Sequence, residues 1–124
     1  MRFKNLLNAL ILESIGTSTH PLLKLAEDEY TEVRIAVAKN PNSPADALKL
    51  LANDEIHRIR ELVAGHSNTP IHILKKLVSN KYEDVRLAIA KNPNTPKYLQ
   101  EKLANDECKK NRTISKKFLK TKSR

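Results

Sequence analysis

Motifs in this 124-residue chain recur at a fixed period of 26 residues, and such a period constrains a fold more strongly than local propensity does. Two segments 52 residues apart, 30–43 and 82–95, share nine of fourteen residues. Three columns mark the period: Pro44, Pro70 and Pro96; Leu25, Leu51, Leu77 and Leu103; and Arg34, Arg60, Arg86 and Arg112. We therefore expect a stack of similar units, each of which buries its apolar face against its neighbours.

Each unit carries the signals of two short helices. Ser or Thr precedes each repeated proline, which predicts a capped helix with proline at its first position. Asp46, three residues after Ser43, resembles the second member of a capping box. Polar residues recur where a second helix needs an N-cap, at Asp28, Asp54, Asn80 and Asp106. In the first of these second helices the expected buried stripe is Tyr30, Val33, Ala36 and Val37.

These patterns predict an all-α fold, a short solenoid of about three full repeats with degenerate ends. We expect a solenoid over residues 1–107 and a basic C-terminal cap or tail over 108–124. The solenoid divides into an N-terminal cap (1–17), repeats (18–43, 44–69 and 70–95) and the start of a last repeat (96–107). In the last repeat Asn111, Thr113 and Ser115 replace apolar stripe residues, so that stripe is expected to face water. In the middle repeat Gly65 is expected to supply a left-handed turn.

The segments VRIAVAKNPNSPADALKLLANDE and VRLAIAKNPNTPKYLQEKLANDE strongly resemble the leucine-rich repeat variant family, and the likeness extends over residues 18–115. This resemblance implies a right-handed superhelix in which α-helices alternate with 3₁₀-helices, without β-structure. From the residues alone, both helices of a unit are expected to be α-helices. The iron–sulfur centre of the founding member does not carry over, because Cys108 is the only cysteine.

The unit is also similar to a short HEAT repeat, in which an aspartate and an arginine six positions apart form a ladder between neighbouring units. This resemblance implies three ladder pairs: Asp28 with Arg34, Asp54 with Arg60, and Asp106 with Arg112. Asn80 before Arg86 departs from the pattern, so one rung would have a neutral acceptor. The arginine column could instead bind phosphates or carboxylates, but a structural ladder is the favoured interpretation.

Positive charge is concentrated at the C-terminus. The formal net charge is +9, yet all 14 acidic residues precede Cys108. Eight cations follow it: Lys109, Lys110, Arg112, Lys116, Lys117, Lys120, Lys122 and Arg124. This tail is either a solubilising helical end of the solenoid or an electrostatic contact with nucleic acid, an acidic protein or a membrane surface. Phe118 stands alone as an aromatic residue, so recognition of individual bases is not expected.

The sequence lacks the constellations of an enzyme or a metal site. The four histidines form no ligand set, no nucleophile motif is present, and two glycines cannot build a phosphate cradle. We therefore expect no catalytic residue, cofactor or metal. One cysteine suits a reducing compartment, which favours the cytoplasm. The apolar N-terminus is interpreted as a degenerate helix rather than a signal peptide, and no apolar run is long enough to span a membrane.

The functional expectation is a non-enzymatic interaction module that presents an extended surface to a protein partner. Positions that vary between repeats are the candidate contact residues, because the stack constrains them least. They form two columns: Glu32, Arg58 and Asp84, and Ile35, Glu61 and Leu87. The alternative is nucleic-acid binding through the basic C-terminal tail.

Overall fold

A computed structural model describes residues 20–122, and within that range the backbone forms eight α-helices and no β-strand. In chain order they are α1 (His20–Leu25), α2 (Thr31–Lys39), α3 (Ala45–Leu51), α4 (His57–Gly65), α5 (Ile71–Leu77), α6 (Glu83–Lys91), α7 (Lys97–Leu103) and α8 (Lys109–Lys122). The predicted all-α repeat solenoid is confirmed. The expected cap over residues 1–17 lies outside the described residues.

The short helices α3, α5 and α7 are α-helices, so the alternation with 3₁₀-helices is not found within residues 20–122. Only their ends tighten: Asp54 N donates to Leu51 O at 3.1 Å, an i→i−3 bond that closes the last turn. The expectation drawn from the residues alone is correct for these elements.

The helices are arranged in two layers around one core. Each even-numbered helix packs against the next even-numbered helix, and each odd-numbered helix between two of them contacts both. Buried residues at equivalent repeat positions fill the space between the layers, namely Leu22, Leu48 and Leu74 from the odd helices and Val37, Val63 and Ile89 from the even ones. Because helices of two or three turns are marginal in isolation, this shared core is what holds them folded.

The buried stripe of the even helices differs slightly from the predicted one. Val33 and Val37 are buried as expected, and Ala38 joins them. Ala36 is only half-buried, and Tyr30 is exposed. Tyr30 is the N-cap residue of α2, so its side chain lies at the entry of the helix, at the edge of the stack.

The repeated Ser and Thr hydroxyls stabilise the helix before them, not the one after. Pro44 is itself the N-cap of α3, and no side chain caps that helix. Ser43 Oγ donates backward to the carbonyl oxygen of Val37 at 2.6 Å, and the hydroxyls of Thr69 and Thr95 make the equivalent bond in later repeats. The Ser43 N–H donates to Asn40 O at 3.0 Å instead of to Asp46, so the predicted capping box is wrong. The turn folds each hydroxyl back onto a carbonyl at a helix C-terminus, where it is a second donor beside a backbone N–H, such as that of Asn40 to Val37 O at 3.1 Å.

A row of buried polar side chains connects the exits of α4 and α6 to the preceding repeats. His66 Nε2 lies 2.7 Å from Asn40 O, and Asn92 Nδ2 donates to Ala64 O at 2.9 Å. His66 Nδ1 accepts from the backbone N–H of Asn68 at 3.0 Å, which assigns the ring proton to Nε2, the donor toward Asn40 O. These side chains add no apolar contacts to the core. They form hydrogen bonds with buried backbone groups of two repeats at once.

Gly65 does not form the left-handed turn that the sequence predicted. It is the last residue of α4, and its backbone is outside the left-handed region. Its equivalents in the neighbouring repeats, Lys39 and Lys91, also end their helices. The exit turn therefore has the same form in all three repeats, with or without glycine.

The last interface of the solenoid contains polar residues at positions that are apolar elsewhere. Asn111 and Ser115 of α8 are 1% and 0% exposed, so the prediction that they face water is wrong, whereas Thr113 is exposed as predicted. Gln100, at the repeat position of Leu74, is equally buried and donates Nε2 to Ala90 O at 2.9 Å. Because α8 packs on both α6 and α7, the repeat geometry turns these positions inward whatever their polarity.

We expect Ser43→Ala to lower the free energy of unfolding by about 1 kcal/mol, because the bond to Val37 O is made in a site without access to water. Denaturant unfolding followed by circular dichroism measures this change. Asp46→Ala is the matched control and should change the free energy by less than about 0.5 kcal/mol, as an exposed substitution does. A larger loss from Asp46→Ala than from Ser43→Ala would contradict this assignment.

Candidate functional site

The arginine column forms a ladder of ion pairs, but its rungs join different residues from those predicted. Arg34 Nε donates to Asp54 Oδ2 at 2.8 Å, and Arg86 Nε donates to Asp106 Oδ2 at 2.7 Å. In each pair the carboxylate lies twenty residues after the arginine, in the loop that leads into the next even helix. The predicted side-chain pairs, Asp28 with Arg34, Asp54 with Arg60 and Asp106 with Arg112, are therefore wrong.

Each arginine does contact the residue six positions before it, through the backbone. Arg34 Nη1 donates to Asp28 O at 2.9 Å, and Arg60, Arg86 and Arg112 repeat this bond at 2.5, 2.6 and 2.7 Å. The side chain of that earlier residue accepts from the N–H two residues later, as in Asp54 Oδ1 with Ile56 N at 3.0 Å. These residues close the turn before the helix instead of capping its first residue. Each arginine thus binds the loop that leads into its own helix, its entry loop. In two rungs it also binds the entry loop of the next repeat.

The Arg86–Asp106 rung is well buried, with side chains 9% and 7% exposed. Burial opposes ionisation of Asp106, but hydrogen bonds from Arg86 and from the Cys108 N–H, with the charge of Arg86, hold its pKa below the ordinary value. The hydrogen bond to Asp106 raises the pKa of Arg86, against the opposing effect of burial. This rung is an ion pair whose charged form the fold stabilises.

Arg60 occupies the rung that lacks a carboxylate. The residue twenty positions later is Asn80, whose Oδ1 accepts from the Tyr82 N–H at 3.1 Å. Arg60 Nε is buried and has no hydrogen-bond partner among the described residues. Its Cζ lies 5.6 Å from the centroid of the Tyr82 ring, and His57 stacks on that ring at 4.2 Å between centroids. The neutral rung predicted from Asn80 therefore belongs to Arg60, not to Arg86.

The two variable columns predicted as contact residues lie in different environments. Glu32, Arg58 and Asp84 are exposed at the starts of α2, α4 and α6. Ile35 and Leu87 are half-buried, and Ile35 packs against the core. Glu61 is half-buried and accepts from Arg58 Nη1 at 2.7 Å. The first column thus lies on the surface, whereas the second contributes partly to the fold.

A groove of about 400 Å³, which was not predicted from the sequence, crosses α2, α4 and α6. Half-buried Leu62 and Ala88 supply apolar lining, and the exposed Lys39 and Lys91 end the two outer helices. Gly65 stands at the lysine position of the middle repeat, where a Cβ would lie 3.9 Å from Ala88 Cβ. The missing side chain leaves the groove open. A glycine within a lysine column was the available sequence signal.

Helix α8 carries the basic segment at the end of the solenoid. Five of its lysines are exposed: Lys109, Lys110, Lys116, Lys117 and Lys120. Arg112 is half-buried and donates Nη1 to the carbonyl oxygens of Asp106 and Glu107, so it belongs to the ladder. The side chain of Lys122 and all of Arg124 lie outside the described residues. Helical spacing places Lys109, Lys116 and Lys120 on one face.

The other residues that could carry chemistry are three histidines and one cysteine, and the fold explains their positions. His66 is buried in the exit row, His57 stacks on Tyr82, and His72 is exposed. Cys108 is a free, half-buried thiol. Within residues 20–122 no group of three or more His, Cys, Asp or Glu side chains could hold a metal ion. None of the described helices combines the length and apolar character needed to cross a bilayer.

We expect Asp106→Asn to lower the free energy of unfolding at pH 7 by about 2 kcal/mol, because Arg86 loses a charged acceptor in a buried site. The carboxylate contributes its full stabilisation above its unfolded pKa of about 3.9 and loses it as the pH falls through the lower folded value. The difference between wild type and variant should therefore shrink below about pH 4.

Denaturant unfolding at pH 7, 5, 4 and 3 measures this dependence. Glu101→Gln, which removes an exposed carboxylate from α7, is the control and should stay within about 0.5 kcal/mol of wild type at pH 7. A difference between Asp106→Asn and wild type that grows as the pH falls would contradict the assignment of the rung.

Comparison with known protein families gives a match over part of the chain. The family model described as leucine rich repeat variant matches residues 31–56, which run from the start of α2 to the residue before α4. No curated protein and no solved structure matches the chain. The matched segment is one full period of the repeat and contains Arg34, the Ser43–Pro44 turn and Asp54. The unit from Thr31 to Ile56 is therefore similar to a leucine rich repeat variant repeat, and this match agrees with the resemblance predicted from the sequence over those residues.

Proposed function

We propose that this chain is a non-catalytic helical-repeat module that binds a protein partner along the groove across α2, α4 and α6. The groove itself carries the proposal: Leu62 and Ala88 line it with apolar surface, and Lys39 and Lys91 end the helices on either side. Stacked repeats generally bind through such surfaces, which extend over several units. Apolar lining would hold a side chain of the partner, and the lysines would orient its charged residues.

The choice of this face rests on continuity. Large apolar residues are also exposed on the odd-numbered helices, namely Leu50, Ile71 and Tyr98. They occupy three different repeat positions, and single exposed apolar residues are ordinary on a folded protein. The groove instead draws on three successive repeats, and the exposed column of Glu32, Arg58 and Asp84 lies on the same three helices.

The proposed location is the cytoplasm. Its support is the cysteine content, because Cys108 is a single free thiol, and thiols persist in reducing compartments.

Gly65→Leu is expected to fill the groove and weaken partner binding by about tenfold or more, a loss of about 1.4 kcal/mol. The protein should remain folded, and replacing a helical glycine should raise stability by about 0.5–1 kcal/mol. A photo-crosslinking residue at position 39 in the native host identifies the partner. Isothermal titration with the purified partner then measures the affinity of wild type and variant.

Lys49→Leu, an exposed substitution on α3 in the other layer, is the control and should leave the affinity unchanged. Equal affinities of wild type and Gly65→Leu would reject the groove as the binding surface. Equal crosslinking from positions 39 and 49 would reject it as well.

A second candidate function, nucleic-acid binding, is favoured by one observation on α8. Five lysines are exposed along that helix, and no acidic residue occurs from Cys108 to the C-terminus. The cationic face could follow a phosphate backbone without recognising bases. Arg112 is not available for this contact because it belongs to the ladder.

If the five exposed lysines contact a duplex, the logarithm of the affinity should fall with the logarithm of salt concentration with a slope of about −4.5. Fluorescence anisotropy with a labelled 20-bp DNA duplex between about 50 and 200 mM salt measures the slope. Lys116→Glu with Lys120→Glu should make it shallower by about 2. Lys75→Glu with Lys97→Glu, on odd-numbered helices, should not change it. Absence of binding at the lowest salt concentration would eliminate this candidate.

A further inference from the structure

We infer that the neutral rung at Arg60 is a carboxylate-binding site, which an acidic side chain of the partner protein completes. This inference rests on the protein-binding function proposed above and specifies the chemistry of one contact. The chain builds the same arrangement in three successive repeats and supplies a carboxylate in only two of them.

The complete rungs show what the site accommodates. Asp54 Oδ1 accepts from the Ile56 N–H at 3.0 Å, and its Oδ2 accepts from Arg34 Nε at 2.8 Å. Asp106 Oδ1 likewise accepts from the Cys108 N–H and Oδ2 from Arg86 Nε, and Oδ1 also accepts from Arg86 Nη2 at 3.2 Å. In both rungs one oxygen closes the local turn, and the other accepts from the Nε of the arginine in the preceding repeat.

Asn80 can perform only the first of these roles. Its Oδ1 closes the turn with the Tyr82 N–H at 3.1 Å, and its remaining polar atom, Nδ2, is a donor. Arg60 Nε is a second donor, buried and without a hydrogen-bond partner among the described residues. This rung therefore contains two donors, Asn80 Nδ2 and Arg60 Nε. In the two other rungs the arginine Nε has an acceptor oxygen as its partner. Leaving a charged donor unsatisfied is unfavourable, so an external acceptor would be stabilised there.

Arg60 Nε itself is buried, but the side chains around this rung are exposed and include a second cation, Lys81. Tyr82 is 39% exposed, and Lys81 Nζ lies 5.3 Å from the centroid of its ring. His57, also exposed, stacks on the same ring with an interplanar angle of 14°. The acidic residues that follow on α6, Glu83 and Asp84, make no ion pair with Arg60 within the described part of the chain. An incoming anion thus meets Arg60 and Lys81, which make no ion pair with the residues that the structure describes.

A carboxylate fits this site best because the chain already places one against the equivalent arginine in two other rungs. Hydrogen bonds between a guanidinium and a carboxylate are shorter and stronger than those between neutral groups. The site lies on the same helices, α4 and α6, that contribute to the groove, so a single partner could occupy both. Glutamate or aspartate in the bound segment supplies the required group.

The test uses acetate as the probe, with the full chain at constant ionic strength, and follows the Arg60 Nε–H signal by ¹H–¹⁵N NMR. Arg60→Lys identifies the signal by its loss. In the wild type we expect a saturable shift with a dissociation constant of roughly 10 mM, weak as suits one small ion. In Asn80→Asp the new carboxylate binds Arg60 in place of acetate. The acetate-induced shift of the Arg60 signal should therefore be at least about fivefold smaller than in the wild type.

Ser79→Asp is the matched control, because it adds the same charge one residue earlier, at an exposed position. The acetate-induced shift of its Arg60 signal should remain saturable and within about twofold of the wild-type shift, because Asn80 is unchanged and no carboxylate is added to the rung. A shift that rises linearly without saturation, or one of equal size in wild type and Asn80→Asp, would overturn the inference.

Partner affinity separates this inference from the proposed function. Asn80→Asp should weaken binding to the crosslinked partner at least about threefold, because the carboxylate of the partner is excluded. If Gly65→Leu weakens binding and Asn80→Asp does not, the role of the rung is overturned while the groove stands. If Asn80→Asp weakens binding and Gly65→Leu does not, the rung is supported while the groove is rejected.

Discussion

Mutual burial between neighbouring repeats is the interaction on which the rest of the structure depends. The helices between α2 and α7 have seven or nine residues, too few to persist alone in water, and each odd-numbered helix contacts the even-numbered helices on both sides. Polar contacts then fix how successive units are placed. The arginine ladder joins the entry loops of neighbouring repeats, and the row of Asn40, His66 and Asn92 joins their exits. Each central even helix is thus connected to its neighbours at both ends.

The candidate functional features coincide with departures from the repeat. Gly65 interrupts a column of lysines and leaves a groove beside Ala88, and Asn80 interrupts a column of aspartates and leaves Arg60 without a carboxylate. Residues that follow the period maintain the contacts between units, so they are constrained by the fold. Residues that depart from it create local surfaces and can serve recognition. Both departures are visible in the sequence. Their neighbours in space are not, since Ala88 is 23 residues from Gly65 and Arg60 is 20 residues from Asn80.

The arginine ladder shows why a periodic sequence leaves pairing ambiguous. With a period of 26, the position six before an arginine and the position twenty after it belong to the same column. The columns of arginine and aspartate therefore identify which residue types meet, and the resemblance to HEAT repeats assigned each arginine to the aspartate six positions before it. The stacking of entry loops decides otherwise: Arg34 Nε binds Asp54, while Asp28 offers it only a backbone carbonyl. For the same reason, the rung that contains Asn80 is that of Arg60, whereas the prediction assigned it to Arg86.

The sequence by itself determined the helical class, the period, and the leucine and valine positions that fill the core, because apolar spacing and proline positions act locally and recur in every unit. It did not determine which hydroxyl bonds which carbonyl, which rung lacks a carboxylate, or that Asn111 and Ser115 are buried. Those outcomes depend on distances between residues of different helices, mostly in different repeats. Only the packed stack sets these distances, since residue type fixes what a side chain can bind but not what lies beside it.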